Sequence, residues 1–147
     1  MASFRSRLVT PERVLLKEDV QAVIVRTDVG DATFMPGHTR LIGALVPGSV
    51  RFQREDGTEE RAAVHGGLVQ VDGEHVVVLT PVAERAEDID VERARRALEA
   101  AAARVGELAA RATGGGAEQG AADTDLADAE AAHRRAEVRL EVAGATP

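Results

Sequence analysis

The sequence predicts a β + α chain: a sandwich or flattened barrel of about ten short strands, then an antiparallel two-helix hairpin. Three observations carry that prediction. Upstream of Thr80, β-branched residues alternate with polar ones, and Gly, Pro and Asp punctuate them every few residues. Downstream of Asp90, alanine dominates and apolar residues fall three and four apart, the spacing of one helix face. The two patterns meet between Asp88 and Asp90, which divides the chain into residues 1–87 and residues 88–147.

Taken in order, Phe4 to Thr10 and Arg13 to Val20 are β-type runs separated by the turn signal Pro11-Glu12, and they read as paired strands. Ala22-Val23-Ile24-Val25 is apolar on both faces, so it predicts an interior strand covered on both sides or one at a corner between sheets. Gly30 ends that strand. Pro36-Gly37 and Pro47-Gly48 set tight turns, and the residues between Gly30 and Val46 supply two more short strands with a loop between them. Val50 and Phe52, then Ala62 and Val64, flank Asp56-Gly57 as a hairpin would. Gly66-Gly67 opens Leu68 to Val71, and Asp72-Gly73 opens His75 to Thr80, which makes a second hairpin.

The helical part begins with a capping signal. Asp90 stands directly before the periodic run, where its carboxylate can accept a free N–H of the first turn, and Ile89 and Ala94 take the two positions of a hydrophobic staple. Val91, Ala94, Leu98, Ala101, Val105 and Leu108 then form a coiled-coil seam. The run from Thr113 to Gly120 reads as a loop, after which Asp123 or Thr124 would cap a second helix. Its seam is Leu126, Ala129, His133, Ala136, Leu140 and Ala143. Five of the twelve seam positions are alanine, and each forgoes roughly 2 kcal/mol relative to leucine, at about 0.8 kcal/mol per methylene. A hairpin held so thinly is expected to detach or straighten when a partner offers a better surface.

Composition narrows the function. The chain has 147 residues, a net charge of −7 and no cysteine, so disulfides, thiolate metal sites and thiol catalysis are all absent. A basic face is missing and the only aromatics are three phenylalanines, which argues against nucleic acid. No stretch has signal-peptide or bilayer-spanning character, so a soluble, intracellular chain without direct membrane insertion is expected. His38, His65, His75 and His133 lack metal-ligand spacing, serine occurs only at positions 3, 6 and 49, and Gly114 to Gly120 is no phosphate-binding loop. No catalytic residue, metal or required cofactor is expected, which leaves binding or mechanical coupling.

Gly30, Pro36-Gly37-His38, Pro47-Gly48, Gly66-Gly67 and Ile89-Asp90, in that order, resemble the epsilon subunit of the bacterial F-type ATP synthase nearly end to end. The chain departs from that pattern at Ala32-Thr33 and in the glycine-rich interhelical loop. The resemblance implies a ten-stranded β-sandwich plus a helical hairpin on the central stalk, partnered by the gamma subunit and the c-ring. It further implies transient contact of the helices with the catalytic subunits, which opposes ATP hydrolysis, and a peripheral place at the cytoplasmic face of the plasma membrane. Asp31 and His38 become the polar candidates for c-ring contact, beside their alternative reading as ordinary turn residues.

Ile89-Asp90-x-x-Arg93-Ala94 resembles an ATP-binding motif of some family members, with ATP as a regulatory ligand. Arg135 and Arg139, four apart on one helix face, would meet its phosphates with bidentate hydrogen bonds. Ile89 and Ala94 would supply apolar contact, and Asp90 and Glu84 would accept base or ribose protons. In their own helix neither arginine has an acid three or four residues away, although acids on the facing helix remain open as partners. A different class of function, a free-standing β-sandwich binding module with a helical dimerisation tail, would show itself by self-association.

Overall fold

The computed structural model describes residues 2–112 and 119–144, which fall into two compact units, Met1–Ile89 and Asp90–Pro147. The first unit is a sandwich of two five-stranded sheets. One, sheet A, runs β2 (Val14–Val20), β1 (Phe4–Val9), β9 (His75–Leu79), β8 (Gly67–Val71), β5 (Leu41–Leu45). The other, sheet B, runs β10 (Ala83–Arg85), β7 (Glu59–Val64), β6 (Gly48–Gln53), β3 (Ala22–Thr27), β4 (Gly30–Phe34). All pairs are antiparallel except β1 with β9. Alternation in the sequence becomes a core between the sheets, with Phe4 and Leu8 of β1, Val50 and Phe52 of β6, Val69 and Val71 of β8 and Val76 and Val78 of β9 all buried. As its apolar run predicts, β3 is an interior strand whose Ala22, Val23, Ile24 and Val25 are buried on both faces.

Arg54 ties the two sheets at one edge. Its guanidinium donates to Glu18 of β2 at 3.0 Å and to Glu60 of β7 at 3.4 Å. Glu60 also accepts from Arg85 of β10 at 3.0 Å, so a strand of only three residues is held by charge as well as by pairing. A 3-10 turn, Ala86–Asp88, follows β10. Both β10 and this turn fall where the sequence reading placed only a junction.

The second unit is a pair of helices, α1 (Val91–Ala112) and α2 (Gln119–Val142), packed along their length. All twelve seam positions are buried or half-buried, Ala136 and Leu140 completely. Val138 and Val142 are buried too, off the seam, a second apolar side that a one-seam reading overlooks. Of the expected glycine-rich loop, Thr113 to Gly120, positions 113–118 lie outside the described residues, whereas Gln119 and Gly120 already belong to α2. The second helix begins before Asp123 and Thr124, so neither caps it. Thr124 instead donates its hydroxyl to the Gly120 carbonyl at 3.0 Å, the bond of a residue inside a helix. Ala121 and Ala122 favour helix strongly enough to carry it past the better capping residues.

Candidate functional site

Asp90 caps α1 as its position dictates. Its Oδ1 accepts the Arg93 N–H at 3.0 Å, and its carbonyl accepts the Ala94 N–H at 3.0 Å. Ala94 is buried and the Arg93 side chain exposed. Because six residues join the helices, they run antiparallel, and positions equally distant from the connection face each other. Arg93 lies 19 residues before the end of α1 (112 − 93), and Arg139 lies 20 after the start of α2 (139 − 119). The start of α1, with Asp90, Arg93 and Ala94, and the last turns of α2, with Arg135 and Arg139, therefore lie at the same end of the hairpin. Arg135 and Arg139 are both half-buried on successive turns. Arg135 makes no hydrogen bond or ion pair among the described residues, whereas Arg139 is engaged within the chain. Glu137, which could have served Arg134, turns to His133 at 3.6 Å.

Ile89 and Glu84 belong to the sandwich unit. Ile89 is buried and follows the 3-10 turn, with its N–H on the Ala86 carbonyl. Glu84 stands on β10, its Oε1 3.8 Å from Nε2 of the buried His65. At that distance the two form an ion pair only when the imidazole is protonated.

Asp31 and His38 are held by local geometry and are not neighbours. Asp31 sits in β4 opposite Arg26 of β3, whose Nε donates to it at 3.2 Å, so it is a strand residue rather than a turn residue. His38 follows the Met35-Pro36-Gly37 turn, where Gly37 takes φ +86. Its ring Nδ1 donates to the Thr39 carbonyl at 2.7 Å and its edge meets Phe34, centroids 5.1 Å apart. Phe34 is three residues along an extended strand from Asp31, roughly 10 Å. Each polar residue stands beside an exposed apolar one: Val29, 92% exposed, precedes Asp31, and Met35, 58% exposed, precedes His38.

The sequence reading missed a third feature. On the outer face of sheet A one row of cross-strand neighbours runs Val14, Val9, Leu79, Leu68, Ala44 through all five strands. Val14, Leu79 and Leu68 are 51%, 41% and 46% exposed, and Ile42 of β5, at 69%, lies beside them. Isolated exposed apolar residues are ordinary, whereas a contiguous row across a sheet is a candidate interaction surface. The signal was present in His75-Val76-Val77-Val78-Leu79, a run without alternation, which predicts cover on both faces. Among the described residues no group of three or more His, Asp or Glu could hold a metal, and no helix is long and apolar enough to cross a membrane.

Comparison with known proteins gives this arrangement its context. Residues 3–86 match the family model described as the ATP synthase Delta/Epsilon chain β-sandwich domain. The ATP synthase epsilon chain of Moorella thermoacetica is 41% identical over 145 residues, covering 99% of both chains. That of Bacillus velezensis is 37% identical over 144 residues, covering 98% of this chain and 99% of the relative. Among solved structures, a chain of the Euglena gracilis mitochondrial ATP synthase, determined as an OSCP/F1/c-ring assembly, superposes with a TM-score of 0.76 at 26% identity. The match covers 97% of this chain and 82% of that one. From its sandwich to its helical hairpin, this chain belongs to the ATP synthase epsilon chain family.

Proposed function

We propose that this chain is a non-catalytic rotor subunit at the cytoplasmic face of the membrane, docked through its sandwich onto the central stalk beside the c-ring. The open apolar row on sheet A carries the reading, because it gives the gamma subunit a dry surface already aligned by strand register. Covering what remains exposed of Leu68 and Leu79 contributes about 1 kcal/mol each, and placing a charge there also leaves that charge desolvated. Leu68→Asp with Leu79→Asp is therefore expected to weaken binding to gamma by about 100-fold or more, with the sandwich still folded. Undiminished binding by this variant would remove the proposal. Val29 of the β3–β4 turn with Asp31 at the start of β4, and the loop with Met35 and His38, are the proposed c-ring contacts. Since the chain has no cysteine, single cysteines at positions 31 and 38 give a clean crosslinking test, and absence of any c-ring product from both would exclude them.

For the hairpin we propose regulation by ATP, at the end where Asp90, Arg93 and Ala94 meet Arg135 and Arg139. The supporting observation is Arg135, a half-buried cation with no anion of its own among the described residues. A polyphosphate fits the spacing of two arginines on successive turns. Glu84 and Ile89 are left out of this site, since Glu84 already faces His65 and both belong to the sandwich unit. A ligand that binds only the closed hairpin favours it by about 2.7 kcal/mol at 100 times its dissociation constant, which opposes release of the helices toward the catalytic subunits. Calorimetric titration with ATP is expected to show millimolar or tighter binding that Arg135→Ala or Arg139→Ala weakens. No heat from the wild type, or equal heats from all three, would sink it.

A further inference from the structure

The outer face of sheet A has two further rows beyond the apolar one, and they treat charge in opposite ways. In the outermost, Arg5 of β1 stands directly across from Asp19 of β2 and pairs with it at 3.5 Å. In the middle row, next to the apolar residues, Arg7 of β1 stands across from Lys17 of β2. Both are exposed, and neither makes a hydrogen bond or ion pair among the described residues. Like charges directly opposite on neighbouring strands repel. Lys17 is moreover the only lysine of the chain, placed in a protein of net charge −7 with acids in plenty.

We infer that Arg7 and Lys17 form the charged border of the docking face and receive a carboxylate of the partner, which fixes the register in which the apolar row is covered. This rests on the docking of that face onto the gamma subunit proposed above and specifies the chemistry it requires: an apolar patch on gamma bordered by Asp or Glu. Repulsion between Arg7 and Lys17 is relieved only when an anion comes between them, so the pair costs stability in the free chain and returns it in the complex. Such charges at the rim of an apolar contact act on encounter rate and orientation. An anionic lipid surface is the poorer partner. Membrane attraction takes clusters of four or more basic residues, whereas here two cations stand on an acidic chain.

The test compares the full-length chain with Arg7→Gln/Lys17→Gln, and with Leu68→Asp, by surface-based kinetics against the gamma subunit at several salt concentrations, alongside thermal melts of each free chain. The glutamine variant is expected to associate about ten-fold more slowly at low salt, to lose most of the salt dependence shown by the wild type, and to melt no lower than the wild type. That combination, weaker binding without a less stable chain, is not what a merely structural role gives. Wild-type kinetics from the glutamine variant, with binding weakened by Leu68→Asp, would overturn the charged border and leave the apolar docking intact. Unchanged binding by both variants would remove the docking reading itself. Binding of the wild type, but not the glutamine variant, to vesicles of phosphatidylcholine with phosphatidylserine would assign the pair to lipid and overturn the inference.

Discussion

Gly67 shows why a glycine pair opens β8. Its φ is +120, and a Cβ there would overlap the Leu79 carbonyl oxygen and the Thr80 Cα, backbone atoms that cannot swing aside. Gly67→Ala is therefore expected to cost at least about 3 kcal/mol, measured by urea denaturation, and a loss under 1 kcal/mol would refute the close approach. Glu60 makes a second prediction. Burial alone favours its neutral acid, but the hydrogen bonds and charges of Arg85 and Arg54 outweigh that, so its carboxyl lies below its ordinary 4.5. A depressed folded pKa means stability that is fully present above 4.5 and lost as pH falls through the lower folded value. Glu60→Gln should cost about 1–3 kcal/mol at neutral pH, and the gap to the wild type should close in acid. A gap that is constant with pH would mean the charge of Glu60 is not what holds β10.

The helices and short strands divide by how much their own sequence decides. Asp90 was legible because a cap needs one residue type at one place, and Asp90→Ala should cost α1 about 1 kcal/mol, seen as an earlier loss of helical circular dichroism on heating. Asp90→Asn should cost little, since its side-chain oxygen still accepts the Arg93 N–H. The start of α2 was not legible, because alanine-rich residues extend a helix past good capping residues without announcing it. Strand β10 was hidden for another reason. Three residues cannot show alternation, and this strand exists through its pairing with β7 and the Arg85–Glu60 contact 25 residues back in sequence. The pairing of Arg26 with Asp31 is likewise a fact of register, and a reading of Asp31 as a loop residue could not contain it.

For the chain as a unit, the sandwich was readable from period and punctuation, and its family from an ordered set of turn glycines and prolines. Its docking surface was legible only in the unalternating run of β9, because an outward Leu elsewhere looks the same in sequence whether it stands alone or in a row of five. Only strand order, which places β9 between β1 and β8, turns scattered residues into a face. Truncation after Glu87 is expected to leave a cooperatively folding sandwich that still binds gamma, since the core residues between its sheets all precede that point. The most direct test of the rotor-subunit account is the stoichiometry of the full-length chain, by size-exclusion chromatography with light scattering, alone and with the gamma subunit. The account predicts a monomer alone and a one-to-one complex with gamma; a stable homodimer that ignores gamma would contradict it.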